Sequence, residues 1–199
     1  IKKCFNKFVA NFDRIEKTKN IFEDYYLQID RVDFSSNKVS QEINLSEAQT
    51  VAFEGITNEL ISKDVCLLHG VTSAGKTEIY IKIIEQYLKL DKQVLFLLPE
   101  IALTAQLVSR LTKYFGNQVA VFHSKYSNNE RVEVWNQVLW NAPKVQIVIG
   151  VRSSLFLPFT NLGLIIIDEE HEQMYKQSDP APRFHARDSA IVLANSHQA

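Results

Sequence analysis

The sequence has little of what marks several classes of protein. Only 6 Gly and 5 Pro among 199 residues exclude collagen-like and low-complexity chains. No apolar run reaches the roughly 18 residues that a transmembrane helix needs, so we expect no membrane partner. The basic N-terminus has no uninterrupted apolar core, so we do not expect it to be a signal peptide. With 46% hydrophobic and 23% charged residues, the composition predicts a globular protein.

Cysteine and net charge are equally scarce. Cys4 and Cys66 alone cannot make a disulfide framework or a zinc site, so we expect an intracellular protein. The balance of 22 Lys and Arg against 23 Asp and Glu leaves a net charge of −1. Charge by itself therefore does not indicate nucleic acid, and a nucleic-acid partner has to be argued from motifs.

From about residue 44 onward, short apolar runs alternate with helical patterns. Ser46 and Gln49 have the spacing of a capping box, which predicts that a helix begins there. The alternation is typical of βαβ units and predicts an α/β fold, with helices on both faces of a mostly parallel sheet. Ligands of such folds bind at the carboxyl ends of the strands. Strands are predicted at 65–69, 94–98, 119–122, 145–149 and 164–167, and helices at 46–62, 76–90, 101–115, 128–140 and from 186.

The segment 70–77, Gly-Val-Thr-Ser-Ala-Gly-Lys-Thr, matches the phosphate-loop pattern G-x-x-x-x-G-K-[ST]. An apolar run precedes it and a helical pattern follows, as this loop requires. We expect Lys76 to reach the β- and γ-phosphates of a nucleotide and Thr77 to hold Mg²⁺. The alternative is a glycine-rich turn that happens to carry a lysine. The predicted nucleotide-binding residues of the loop are Gly70, Thr72, Ser73, Ala74, Gly75, Lys76 and Thr77.

An apolar run at 164–167 leads directly into three acidic residues. Asp168 is predicted to lie near Mg²⁺, with water between them, and Glu169 to orient or deprotonate the attacking water. The alternative is an acid-rich helical turn after a strand, which is common. The acids follow the phosphate loop by about 90 residues, with three strand–helix units between, and this spacing favours the hydrolytic interpretation.

Several segments resemble the first RecA-like lobe of the PriA family, the primosomal replication-restart DNA helicases of superfamily 2. The resemblance covers about residues 44–199 and implies a three-layer RecA-like P-loop NTPase domain, truncated at its C-terminus. It also implies an ATP-driven 3′-to-5′ DNA helicase that acts in primosome assembly and in the restart of stalled replication forks. The segments are GVTSAGKTE, LLPEIALTAQL, FHSKYSNNERVEVW, IVIGVRSSLFLPFTNLGLIIIDEEHEQMYKQ and PRFHARDSA.

The resemblance implies roles for residues outside the two motifs. Gln49 corresponds to the glutamine that reads the adenine edge of ATP. Pro99 and Thr104 fall in one block that usually touches the nucleic-acid backbone, and Arg152 and Ser153 fall in a second. The segment 175–187 resembles the aromatic-rich loop that couples single-stranded DNA to ATP hydrolysis. Its predicted DNA-binding residues are Tyr175, Lys176, Arg183, Phe184 and Arg187.

Each of these assignments has a structural alternative. Gln49 has the position of a capping residue. Tyr175 and Phe184 have the aromatic character of residues that pack a surface loop. Arg187 and its neighbour Asp188 have the spacing of a helix-end ion pair of little energetic weight.

The resemblance also implies partners and parts beyond these residues. The partners are DNA, as branched forks and single strands, and other primosomal and single-strand-binding proteins, in the bacterial cytoplasm. The chain has no second RecA-like lobe with an arginine finger, and zinc is expected only in another part of the full-length protein. Residues 1–43 are predicted to be a linker or the remnant of a preceding DNA-binding domain. We therefore expect the isolated chain to bind nucleotide weakly, to hydrolyse it poorly and to unwind nothing.

Three alternative functions stay open at this point. One is a different superfamily 2 motor, such as a RecG-like translocase or an RNA helicase. Another is a P-loop phosphotransferase, which needs an acceptor pocket and a basic lid. The third is a module that senses nucleotide by binding alone, for which Glu169 has no use.

Overall fold

The computed structural model describes residues 43–70, 75–99, 105–123, 126–141 and 145–199. All of them belong to the unit Ser35–Ala199. The predicted linker or remnant at 1–43 lies outside the described residues except for its last position. No helix in the described ranges is both long and apolar enough to cross a bilayer.

Helices and strands alternate along most of the described chain, close to the predicted positions. Short 3-10 helices lie at Gly116–Gln118, Arg152–Phe156 and Gln173–Tyr175. The longer elements are α1 (Glu47–Ser62), α2 (Lys76–Lys89), β1 (Gln93–Leu97), α3 (Ala105–Phe115), β2 (Val119–Phe122), α4 (Asn128–Trp140), β3 (Ile147–Gly150), β4 (Leu162–Ile167), β5 (Lys176–Gln177), β6 (Phe184–His185) and α5 (Ala186–His197).

Local side-chain hydrogen bonds set where two of these helices begin. Ser46 and Gln49 form the predicted capping box of α1, each side chain bonding the other's backbone N–H. Ser127 and Glu130 form the same arrangement before α4. These bonds satisfy N–H groups that have no partner within the helix, so both starts are determined by neighbouring residues.

The main sheet is parallel, with the strand order β2-β3-β1-β4. All five residues of β1 are buried, as expected of an interior strand that is apolar on both faces. Val94 and Phe96 point into one core cluster, while Leu95 and Leu97 point into the other. This alternation gives the sheet two apolar faces and requires a layer of helices on each.

Helices cover both faces and complete the three layers. On one side the sheet packs against apolar residues of α1, α2 and α3, such as Ile56, Ile81 and Leu111. On the other side it packs against α4 and α5, through residues such as Val138 and Ala190. The predicted α/β class with a parallel sheet between helical layers is confirmed.

One predicted strand is absent. The run 65–69 was expected to be a buried strand, but no strand is assigned there among the described residues. Val65 and Leu67 are 55% and 70% exposed, whereas Cys66 and Leu68 pack against the core. The segment thus buries only alternate residues. In the described sheet β4 pairs with β1 alone, so this segment has no strand as a hydrogen-bonded neighbour there.

Candidate nucleotide site and DNA-facing surface

The start of α2 and the end of β4 enclose a cavity of about 300 Å³. Both predicted motifs contribute to it, although they are far apart in the chain. A second cavity of about 210 Å³ lies between α1 and α2 and has no acidic or basic side chain, so it does not fit a nucleotide phosphate. The first cavity is lined by Gly75, Lys76, Thr77, Glu78, Tyr80, Arg110, Asp168 and Glu169.

The last part of the phosphate loop adopts the backbone that its glycine permits. Gly75 has φ 76°, a left-handed conformation, and directly precedes the first turn of α2. A Cβ at Gly75 would lie 2.2 Å from Nε2 of Gln49, so a larger residue there would displace the Gln49 amide. Lys76 and Thr77 follow at the positive N-terminal end of the helix. Gly70 is partly buried, and the predicted Thr72, Ser73 and Ala74 lie outside the described residues.

The acidic residues lie in a tight turn directly after β4. Glu169 has φ 51°, a left-handed conformation that costs a non-glycine residue about 1–2 kcal/mol. Its Oε1 lies 3.7 Å from Nζ of Lys76, and its Oε2 lies 3.7 Å from Nε2 of His171. The turn therefore brings the predicted catalytic carboxylate next to the phosphate-loop lysine.

A tyrosine that sequence reasoning missed contacts the predicted metal-binding acid. The hydroxyl of Tyr80 donates to Oδ1 of Asp168 at 3.1 Å. Burial, followed by the negative charge of Asp168, raises the pKa of Tyr80 well above its usual range, so the hydroxyl stays protonated. Helical spacing contained a signal for this contact, because Tyr80 lies four residues after Lys76 and thus on the same face of α2.

An arginine also reaches the cavity without having been predicted. Arg110 of α3 forms an ion pair with Glu78 in the first turn of α2. The other oxygen of Glu78, Oε2, is buried and finds no hydrogen-bond partner among the described residues. Only the packing of α3 beside α2 brings this guanidinium to the cavity, so no sequence pattern marked it.

The donor set of the cavity fits Mg²⁺ held together with a nucleotide. Thr77 and Asp168 supply one hydroxyl and one carboxylate to the same cavity. Mg²⁺ prefers oxygen ligands and is commonly held by one or two protein groups together with phosphates and water. The described residues contain no group of three or more His, Cys, Asp and Glu side chains suited to an ion, so they offer no all-protein metal cage and no zinc site.

Residues 46–189 match the family model described as "DEAD/DEAH box helicase". That span contains the phosphate loop, the acidic turn and all of the described strands. The chain belongs to the DEAD/DEAH box helicase family.

Curated relatives of this helicase domain are replication-restart proteins. The chain is 43% identical to the replication restart protein PriA of Bacillus subtilis over 183 residues, which are 90% of this chain and 22% of the relative. It is 47% identical to PriA of Haemophilus influenzae over 152 residues, 76% of this chain and 20% of the relative. The predicted resemblance to the PriA family is confirmed. The chain spans about a fifth of the length of these relatives.

A solved structure supports the fold of the helicase domain independently. The UvsW helicase from bacteriophage T4 matches it with a TM-score of 0.53 at 18% sequence identity. The match covers 88% of this chain and 56% of the phage protein. The RecA-like α/β architecture is therefore shared at low sequence similarity.

Gln49 of the helicase domain is tied to both the cap and the phosphate loop. Its Oε1 accepts from the backbone N–H of Ser46 at 2.8 Å, and its Nε2 donates to the carbonyl of Gly75 at 3.0 Å. The capping alternative is thus present in the structure. The adenine-reading role stays a prediction, and the contact with Gly75 places the amide beside the nucleotide cavity.

A Gln49→Glu substitution separates the two roles of this residue. Glutamate keeps the capping-box acceptor but loses the amide donor to the Gly75 carbonyl, so we expect the unfolding temperature to fall by only about 2–4 °C. We expect the KM for ATP to rise about tenfold and the preference for ATP over GTP to be lost, because a polar group facing the base loses its partner. Steady-state kinetics with both nucleotides measure this. Unchanged KM values for both would leave Gln49 as a cap only.

Tyr175 requires a correction. It was predicted to contact DNA, but it is only 1% exposed and belongs to the core cluster under α4 and α5. Its hydroxyl lies 2.6 Å from the carbonyl oxygen of Asp168 and 3.1 Å from that of Leu97. A ring buried in this way cannot stack on a base, so Tyr175 has a structural role beneath the surface.

The blocks predicted to touch the DNA backbone are only partly accessible. Pro99 is buried after β1, which removes its side chain from any DNA contact, and Thr104 lies outside the described residues. The guanidinium of Arg152 donates to the carbonyls of Met174 and Lys176, at 3.2 and 3.1 Å. Arg152 is therefore engaged with the loop that carries Tyr175.

The remaining predicted DNA contacts are at or near the surface. Ser153, Lys176, Arg183 and Arg187 are exposed, and Arg187 also forms the expected ion pair with Asp188 at 3.0 Å. Phe184 is half-buried and meets Phe156 edge to face, with 5.5 Å between ring centroids. Phe156 is 60% exposed. Because apolar residues flank it, its sequence context did not indicate a surface position.

Proposed function

We propose that this chain is the ATP-binding lobe of a DNA motor that restarts stalled replication forks. The observation that carries the proposal is the meeting of Lys76, Asp168 and Glu169 around one cavity. The similarity to replication-restart relatives supports DNA as the substrate. Movement in the 3′-to-5′ direction belongs to the proposal by resemblance.

Lys76 and the helix end account for nucleotide binding. The ammonium of Lys76 lies among the cavity residues at the positive end of α2, where phosphate oxygens are favoured. The carboxylate of Glu169 lies 3.7 Å from this ammonium and competes with phosphate for it. Binding of phosphate exchanges this partly exposed pair, which is worth at most about 1 kcal/mol, for charge-assisted bonds to the nucleotide.

Asp168 and Glu169 have different roles, one toward Mg²⁺ and the other toward the attacking water. Thr77 and Asp168 would hold Mg²⁺, which when bound neutralises charge on the phosphates. Asp168 is already oriented by the hydroxyl of Tyr80. Glu169, the next residue of the turn, accepts a proton from the attacking water or orients that water. A phosphate that draws Lys76 away from Glu169 leaves this carboxylate free to meet that water.

The ribbon of β5 and β6 and the nearby Arg152–Phe156 3-10 helix provide the DNA-contacting surface. Aromatic edges and cations together suit a single strand of any sequence, because rings stack on bases and cations hold phosphates. Phe156 joins the predicted set here, since it is exposed and pairs with Phe184. Lys176 and Arg183 are exposed cations of the same ribbon and its loop.

The finer parts of the proposal come from resemblance. They are recognition of branched forks, association with other primosomal and single-strand-binding proteins in the bacterial cytoplasm, and a zinc-bearing segment elsewhere in the full-length protein. The isolated chain is expected to hydrolyse ATP poorly.

The decisive test is ATP turnover by the full-length protein with and without single-stranded DNA. We expect DNA to stimulate turnover, and RNA of the same length to stimulate it much less. Turnover that ignores DNA would reject a DNA motor and favour a phosphotransferase. Equal stimulation by RNA would favour an RNA helicase.

A paired substitution tests the aromatic part of the DNA-contacting surface. We expect Phe156→Ala and Phe184→Ala each to weaken single-stranded DNA binding about tenfold, since stacking on a base is worth about 1–3 kcal/mol. Fluorescence anisotropy with a labelled oligonucleotide measures the affinity.

Trp140→Ala is the matched control for this pair. Trp140 is 69% exposed, but it ends α4, which leads from the carboxyl end of β2 back to the amino edge of the parallel sheet. We expect its removal to leave DNA affinity unchanged. An equal loss in all three variants would mean that the assay reports general destabilisation.

A further inference from the structure

Two tyrosine hydroxyls converge on one residue of the acidic turn from different parts of the chain. Tyr80 reaches Asp168 from α2, and Tyr175 reaches it from the 3-10 helix that follows the turn. The contacts differ in kind, since Tyr80 binds the carboxylate and Tyr175 lies beside the main-chain carbonyl. Asp168 is thus held by its side chain and by its backbone at once.

The contact made by Tyr175 joins two strand ends. Its hydroxyl is 2.6 Å from the carbonyl oxygen of Asp168, just past β4, and 3.1 Å from that of Leu97, the last residue of β1. A hydroxyl carries one hydrogen, so it donates to the nearer carbonyl or shares the hydrogen between the two. The backbone N–H of Asp168 also donates to Leu97, at 3.1 Å. These bonds fix where β4 ends and the turn begins.

Both tyrosine rings are anchored, so their hydroxyls have little freedom. Tyr80 packs edge to face on Phe96 of β1, with ring centroids 5.4 Å apart. Tyr175 is 1% exposed, and Arg152 bonds the carbonyls of the residues on either side of it.

Asp168 directly precedes Glu169, whose backbone conformation needs support from its surroundings. Glu169 has a left-handed backbone, which a non-glycine residue keeps only where its surroundings enforce it. The anchor on the carbonyl of Asp168 is one peptide bond from Glu169. A fixed carbonyl at that point limits the ways in which the turn relaxes.

We propose that Tyr80 and Tyr175 are positioning residues for nucleotide hydrolysis, holding Asp168 and through it the turn that presents Glu169. The role in hydrolysis rests on the proposed function, whereas the contacts of the two hydroxyls with Asp168 do not. Groups that orient a metal-binding residue typically change metal affinity or activity by about 10- to 100-fold when removed. Both hydroxyls are groups of this kind, since each holds Asp168 in place.

Tyr80→Phe and Tyr175→Phe each remove one hydroxyl and keep the ring. Tyr87→Phe is the matched control, because Tyr87 lies on the same helix as Tyr80, is half-buried, and has no hydroxyl partner among the described residues. The measurements are Mn²⁺ binding in the presence of ADP by electron paramagnetic resonance, ATP turnover with DNA, and thermal unfolding, all on the full-length protein.

We expect Tyr80→Phe to weaken Mn²⁺ binding about tenfold, and Tyr175→Phe to lower kcat about tenfold with little change in the KM for ATP. Tyr87→Phe should change neither. In the double variant the loss in kcat should be smaller than the product of the kcat losses in the two single variants, because both hydroxyls act on one turn.

Three outcomes decide between the explanations. A fall in unfolding temperature with unchanged Mn²⁺ affinity and kcat would make both hydroxyls merely structural and overturn the inference. If Tyr175→Phe does not fold, Tyr80→Phe decides alone, since its ring contact with Phe96 survives. If the wild-type protein does not turn over ATP, the proposed function fails, whereas the Mn²⁺ titration of Tyr80→Phe still tests the hold on Asp168.

Discussion

Replacing Lys76 with alanine is expected to lower ATP turnover about 100- to 1,000-fold. Loss of one preorganised charged donor at a transferring phosphoryl group costs this much in comparable sites. Lys76 starts α2 and lines the cavity with Asp168 and Glu169. The other cation among the described lining residues, Arg110, is ion-paired with Glu78, so it is not placed to replace Lys76. Steady-state turnover by the full-length protein, with single-stranded DNA present, measures the loss.

Lys82→Ala is the control for this prediction. Lys82 lies on the same helix and is ion-paired with Glu85 at 3.6 Å, but it does not line the cavity. We expect it to keep near-normal turnover. Lys76→Arg is a further comparison, because it keeps the charge and changes the shape, and we expect it to restore little. Turnover above about half of normal in Lys76→Ala would reject the phosphate-loop assignment.

Replacing Glu169 with glutamine is expected to lower kcat about 100- to 10,000-fold, the usual contribution of a general base. Glutamine has nearly the same shape but cannot accept the proton. The affinity for ATP should stay the same or increase, because the carboxylate that lies 3.7 Å from Lys76 no longer competes with the phosphates. Single-turnover kinetics and filter binding with labelled ATP measure the two quantities separately.

Glu170→Gln provides the matched control. Glu170 is the next residue of the same turn, and its carboxylate lies 3.8 Å from His171 rather than near Lys76. It should retain turnover. Weaker ATP binding with an unchanged kcat in Glu169→Gln would make Glu169 a binding residue and contradict its assignment as the base.

The secondary structure was predictable because its signals are local. Ser46 with Gln49 and Ser127 with Glu130 set helix starts through bonds between residues three apart. The one missing strand, at 65–69, has a different cause. An apolar run becomes a buried strand only where a neighbouring strand pairs with it, and no strand among the described residues pairs with the segment that holds Val65 and Leu67.

The predictions for individual site residues also depended on whether their signal was local. Lys76, Asp168 and Glu169 meet as their motifs require, since each motif places its residues at the end of one strand or the start of one helix. Tyr175 was misplaced. Residue type identified it as a stacking ring, and only the packing beneath α4 and α5 turned it inward.

The sequence by itself determined the order of elements, the phosphate loop and the acidic end of β4, because each depends on residues close together in the chain. Only the tertiary structure decided the strand order β2-β3-β1-β4, the arrival of Arg110 at the cavity and the hold of two hydroxyls on Asp168. Tyr80 and Asp168 are separated by 88 residues. A contact over that distance exists only when packing of the sheet and its helices brings both ends together, and no local pattern records it.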